Sequence, residues 1–189
     1  MYTNHVNPVA LQTQDGFSAA LFELLHHKPL AKITVTELCR TAGFERMTFY
    51  RHFDGKNDII DYYLDRQMLQ LLGTLPARST LLLNLKVLFQ WVYDEQSNLC
   101  LLMDSQMTSL ISDALGKSIF SLMSANLSEP ERQRFPDTPY GENDTFLYCA
   151  VIGIFCGLLT AWRLDGFQES VERVAHRMLL LLGLKPEVI

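Results

Sequence analysis

Between Ile33 and Phe53 the chain reads ITVTELCRTAGFERMTFYRHF, with Arg46, Tyr50, Arg51 and His52 inside seven residues just past Gly43. Guanidinium, phenol and imidazole groups packed this tightly form a set of hydrogen-bond donors. That chemistry holds phosphate oxygens and, for a forked guanidinium, reads the O6 and N7 edge of guanine. Arg46 and Met47 come first along the segment and are the candidates for base edges, Arg46 by a bidentate contact and Met47 by apolar contact with a thymine methyl. Glu45 can accept from a cytosine amine, but a carboxylate at a helix start is explained equally well by the macrodipole. Arg51 suits a base or a phosphate, and spacing does not choose.

Such donors are useful only if the backbone presents them together. Thr34 followed three residues later by Glu37 is a capping box and starts a short helix with Val35, Leu38, Cys39 and Ala42 on its inner face. Gly43 stands where that helix must turn through a positive φ. A third helix, from about Glu45 to His52, is held by Phe49 and Phe53 four residues apart, which turns Arg46, Met47 and Tyr50 outward or sideways. Ahead of both, Phe17, Ala20, Leu21, Leu24 and Leu25 recur at helical spacing, predicting a first helix from about Pro8 to His27, ended by Pro29. Helix, tight glycine turn, helix is the grammar of a helix-turn-helix.

Charge is distributed to match. The 189 residues carry a formal net charge of −5, yet residues 28–56 hold six Lys/Arg against three acids, leaving ten basic and eighteen acidic residues elsewhere. A small basic module on an acidic body is the expectation. With 48% hydrophobic and 20% charged residues the composition is that of a folded soluble protein. The first residues, MYTNHVNPVALQTQ, have neither the basic start nor the apolar core of an export signal, so the cytoplasm is expected. Cys39, Cys100, Cys149 and Cys156 show no CxxC pair, which suits reduced, mostly buried thiols. His26, His27, His52 and His176 have no partners at ligand spacing and no glycine-rich phosphate cradle appears, so neither enzyme activity, nor a metal, nor a cofactor is expected.

Downstream the pattern stays helical. A fourth helix carries Ile59, Ile60, Tyr63, Leu64, Met68, Leu71 and Leu72, capped by Asp54 or Asn57, with a break at residues 73–78. A long helix spans about Thr80 to Gln96, and one or two more lie between Asn98 and Asn126. A loop is punctuated by Pro130, Pro136, Pro139 and Gly141. Two final helices, about Asn143 to Leu164 and Gln168 to Leu182, are split by Asp165 and Gly166. The apolar run from Phe146 to Trp162 approaches the length of a membrane span. Its small residues Ala150, Gly153, Gly157 and Ala161, at spacings of three and four, instead suit a helix that another helix approaches closely, so a buried dimer helix is expected and no membrane.

On these residues the segment ITVTELCRTAGFERMTFYRHFDGKNDII resembles the DNA-binding domain of TetR-type bacterial regulators: a capped helix, an A-G turn, T-x-Y-x-H-F and F-x-x-K in order. The tail YCAVIGIFCGLLTAWRLDGF is similar to the regulatory domain of one branch, in which a glycine-rich apolar helix ends in Trp and Gly. Cys39 stands where that family usually has Ala, and Met47 and Phe49 are bulkier than its usual residues. The resemblance implies an all-α fold, a three-helix helix-turn-helix domain over residues 8–56, and a helical dimerisation and effector domain over 57–189. It implies that Thr48, Tyr50, His52 and Lys56, with Thr36 on the second helix, grip phosphates of double-stranded DNA, and that the chain pairs with itself. It also implies a ligand cavity for an unknown small-molecule effector, for which Tyr62, Tyr63, Trp91, Met103, Met107 and Cys149 are the candidates. The expected function is that of a repressor; a co-activator or adaptor acting through protein contacts is the alternative.

Overall fold

An asparagine cap and a proline at the first helical position start α1 (Pro8–Leu25): the Asn7 side chain accepts from the Val9 N–H at 3.0 Å. The computed structural model describes residues 7–75, 80–105, 111–112, 115–116 and 145–184. Helix α1 ends two residues before His27, where the His27 and Lys28 N–H groups both turn back to the Leu24 carbonyl. A 3-10 turn at Leu30–Lys32 follows Pro29.

Helix α2 (Val35–Ala42) has the expected cap on one side only. The Thr34 hydroxyl accepts from the Glu37 N–H at 3.2 Å, but the Glu37 carboxylate takes the Lys28 ammonium instead of reaching back to Thr34. Gly43 adopts φ +73°, and the Phe44 N–H reaches five residues back to the Cys39 carbonyl at 3.0 Å, closing the helix end. Helix α3 (Arg46–His52) then buries Phe49, with Phe53 just beyond it, against Phe17 of α1 at ring distances of 5.5 and 5.9 Å.

Helix α4 (Lys56–Thr74) starts at a carboxylate that the spacing did not single out. The Asp58 carboxylate reaches back to the N–H groups of Asp54 at 2.8 Å and Gly55 at 3.3 Å. The helix passes Gly73 and ends at Thr74, within the break expected at residues 73–78.

The described residues fall into two units, one within residues 1–69 and 97–114, the other within 70–96 and 115–189. In the first, the opening turns of α4 pack into the head. Ile59, Ile60 and Leu64 are fully buried, the Tyr62 hydroxyl donates to Asp15 of α1 at 2.7 Å, and Arg66 Nε pairs with the same carboxylate at 3.0 Å.

In the second unit α5 (Leu81–Asp94), capped by Thr80, buries Leu85, Leu88, Phe89 and Val92. Where a single helix to Gln96 is expected, the chain turns at Glu95 and α6 (Gln96–Asp104), most of which belongs to the first unit, begins. The rest of the expected 98–126 helices and the proline loop lie almost wholly outside the described residues. Helix α7 (Thr145–Leu164) sets Val151, Phe155, Leu159 and Trp162 inward, with Phe155 and Trp162 on Phe89 at 5.6 and 6.0 Å. Gly166 (φ +65°) turns the chain into α8 (Val171–Leu181), capped by Ser170, and the Trp162 indole N–H donates to the Glu169 carbonyl at 2.8 Å. Among the described residues there are eight bounded α-helices and no strand, and no helix is long and apolar enough to cross a membrane.

Candidate nucleic-acid interface

The exposed arc of α3 is made by the residues that the inward ring of Phe49 turns away from the core. Arg46, Met47, Tyr50 and Arg51 all face outward, Met47 at 66% exposure and Tyr50 at 50%, while Phe49 is sealed. A seven-residue helix gains little stability by itself. Its orientation comes from the aromatic cluster under it, in which Phe17 meets Phe44, Phe49 and Phe53 within 5.1–5.9 Å. At Gly16 of α1 a Cβ would stand 2.9 Å from the Phe44 ring, so glycine lets the turn residue seat on α1. Sequence gave no hint of this, since a glycine inside a helix reads only as a weak helix former.

Thr36 on α2 is exposed, and Thr48 and His52 sit half-buried on α3 next to its exposed arc. The arc has two cationic forks, a phenol and one thioether, with hydroxyl-bearing and imidazole side chains beside it. Such a surface can hold phosphates and touch base edges in a major groove.

Lys56 is placed differently. Its Nζ lies 2.7 Å from the Leu30 carbonyl and 2.5 Å from that of Ile33, so two of its three donors go to the backbone ahead of α2. On the opposite flank the Lys28 hydrogen bond holds the Glu37 carboxyl below its ordinary range. Burial pushes the Cys39 thiol up, against the opposing charge of Arg46.

The expected ligand candidates fall in both units. Tyr62 is a core residue of the first unit, its ring 6.1 Å from Phe53, and burial followed by the Asp15 hydrogen bond drives its phenol well above the usual range. Tyr63 stacks on Phe22 at 4.5 Å and accepts from Asn98 at 3.1 Å, and Met103 is half-buried on α6. In the second unit Trp91 lines an open cavity of about 530 Å³ with Leu71, Val87, Val171 and the Lys86–Glu172 ion pair, whereas Cys149 is exposed on α7 and no part of it. Met107 lies outside the described residues. Ala150, Gly153, Gly157 and Ala161 are all exposed, on the side of α7 opposite Phe155 and Trp162, with Leu164 at 84% exposure beyond them.

Residues 18–63 match the family described as bacterial regulatory proteins, tetR family. No curated protein matches the chain. Among solved structures, a TetR transcriptional regulator from Streptococcus agalactiae shares the fold at a TM-score of 0.65 and 18% identity, over 92% of this chain and 95% of that one. The dihydroxyacetone kinase operon activator DhaS matches at 0.58 and 15% identity, over 90% and 93% of the two chains. The fatty acid degradation regulator FadR from Bacillus halodurans matches at 0.59 and 16% identity, over 95% and 96%. Residues 18–63 thus carry the domain described as bacterial regulatory proteins, tetR family, and the chain shares its all-α fold with solved TetR transcriptional regulators.

Proposed function

We propose that the chain is a cytoplasmic, non-enzymatic transcriptional repressor that binds a near-palindromic operator as a homodimer and releases it when a small molecule occupies the second unit. The carrying observation is the outward arc of Arg46, Met47, Tyr50 and Arg51 over a sealed Phe49. Arg46 and Met47 read base edges; Thr36, Thr48, Tyr50 and His52 hold phosphates, and Arg51 serves either. The exposed small-residue face of α7 supports pairing, because side chains no larger than a methyl let two helices approach closely. A cavity of about 530 Å³ is within the usual size of small-molecule sites.

Two recognition helices engage successive half-sites when they stand about 34–36 Å apart, one turn of the duplex. An effector weakens binding to the degree that it prefers a conformation with another spacing. Residues 57–189 are read as the dimerisation and effector part. The alternative, a co-activator working mainly through protein contacts, is supported by the fold shared with a protein described as an operon activator.

Full-length protein titrated on genomic fragments between roughly 50 and 200 mM salt separates the two. A repressor or other direct DNA reader selects particular fragments, its affinity falls steeply with salt, and Tyr50→Ala weakens all sequences alike. A wild-type protein that prefers no fragment over random duplex refutes the DNA-reading proposal.

A further inference from the structure

We infer that Lys56 is a positioning residue that locks the helix-turn-helix to α4, and not one of its phosphate contacts; the inference rests on the DNA-binding reading above only for its affinity readouts. The segment joining α1 to α2 ends in two carbonyls with acceptor capacity to spare: that of Leu30 takes the Ile33 N–H at 3.1 Å and keeps a second lone pair, and that of Ile33 lies ahead of the α2 ladder. Ile33 is extended, outside the 3-10 turn, and precedes the first acceptor of α2, the Thr34 carbonyl. Leu30 and Ile33 are themselves sealed, and an acceptor left unpaired beside them is costly. The Lys56 ammonium bridges both, at 2.7 and 2.5 Å, from 26 and 23 residues away. A cation at the carbonyl end of a helical turn is also the arrangement its dipole favours.

A lysine at the start of a helix suggests phosphate binding for two reasons, its charge and the exposed N–H groups around it. The first is used internally here, and the second in part. The charge sits on the two carbonyls, and the N–H groups of Asp54 and Gly55 are taken by the Asp58 carboxylate, whose negative charge also repels a phosphate. What remains is a mechanical link: the first residue of α4 holds Leu30 and Ile33, within the four residues before the Thr34 cap of α2. Lys28, bound to Glu37 in the first turn of α2, holds the same helix start from the α1 side. Lys56 thereby fixes the angle at which α2 and α3 leave α4.

Acylation of the full-length wild-type protein with a limiting amine-reactive ester, read by mass spectrometry, tests the clasp directly. Lys56 is expected to react at least tenfold more slowly than exposed Lys32 in free protein, and random duplex is expected to leave that rate unchanged. Reaction at the Lys32 rate, or protection appearing only with duplex, overturns the inference. The second arm is Lys56→Gln on a duplex that the wild-type protein selects from a randomised library. Losing two charge-assisted hydrogen bonds is expected to lower specific affinity about tenfold or more. Random-duplex affinity and the slope of log K against log salt are expected to stay at wild-type values, because no phosphate contact is lost. A slope reduced by about 0.9 per protomer overturns the inference; so does a specific-to-random ratio that stays at the wild-type value. Failure of wild type to select any duplex sinks the DNA-binding reading alone, and the acylation rate in free protein then decides Lys56.

Discussion

Single side chains on α3 divide into those that a base can feel and those that it cannot. Arg46→Ala is expected to relax preference at one position of the selected half-site by about 1–3 kcal/mol, the worth of a bidentate guanine contact, as measured by competition among single-base variants. Met47 makes a finer claim, since its only attraction for a base is apolar. Replacing the half-site's thymines one at a time by deoxyuridine removes one methyl each, about 0.8 kcal/mol if covered, or roughly fourfold in affinity. One such position is expected to respond in wild type, and none in Met47→Ala; equal responses in both proteins would remove Met47 from the reading set. The cysteines offer a contrast set by burial alone. Cys39 is buried with its thiol pushed above the usual range, so at pH 8 it stays protonated and unreactive, while exposed Cys149 is open to reagent. Brief alkylation of native protein is expected to label Cys149 and leave Cys39 silent until denaturant is added, with mass spectrometry locating the label.

At the level of helices the useful contrast lies between Gly16 and Gly43, because propensity alone gives the wrong sign for one of them. Inside α1, Gly16→Ala gains up to about 1 kcal/mol of helix propensity, but the added methyl stands 2.9 Å from the Phe44 ring, and overpacking of that kind costs about 1–3 kcal/mol. Net destabilisation in urea is expected, relieved by Phe44→Leu in the same chain; a stabilised Gly16→Ala would show that the ring moves freely. Gly43→Ala, at φ +73° with open space around it, is expected to lose about 1–2 kcal/mol from backbone strain only. These cases show which parts of the head were legible in its residues. The Gly43 turn, the Thr34 cap and the Phe49–Phe53 anchor are local, each fixed by a few neighbours, and all stand where spacing puts them. The errors arise where distant groups intervene. Glu37 leaves its own cap for Lys28, and the Asp58 carboxylate, which no spacing singled out, takes the N–H groups of Asp54 and Gly55. The turn at Glu95 carries no glycine or proline, so nothing in the chain marks it.

For the molecule as a whole, the open question is what covers the outer side of α7. Ala150, Gly153, Gly157 and Ala161 give that side little apolar area, so their value to a partner is proximity of backbones, and Leu164, on the same helix, supplies apolar surface left 84% exposed in one chain. A second copy presenting the same side satisfies both features at once, because a twofold contact is self-complementary. Gly157→Arg tests this at the point of closest expected approach. In the single chain a Cβ there meets nothing within 4 Å, so the substitution is tolerated by the fold and its thermal transition is expected to shift little. Pairing is expected to fail, with sedimentation velocity giving one chain where wild type gives two. Affinity for a duplex with two half-sites is then expected to drop by about 10²–10⁴, the contribution of linking two binding events, while affinity for a single half-site is unchanged. A Gly157→Arg protein that sediments as wild type would place the pairing surface elsewhere. One that is monomeric yet keeps full affinity for the double site would mean that a single head suffices, and the spacing mechanism would have to be abandoned.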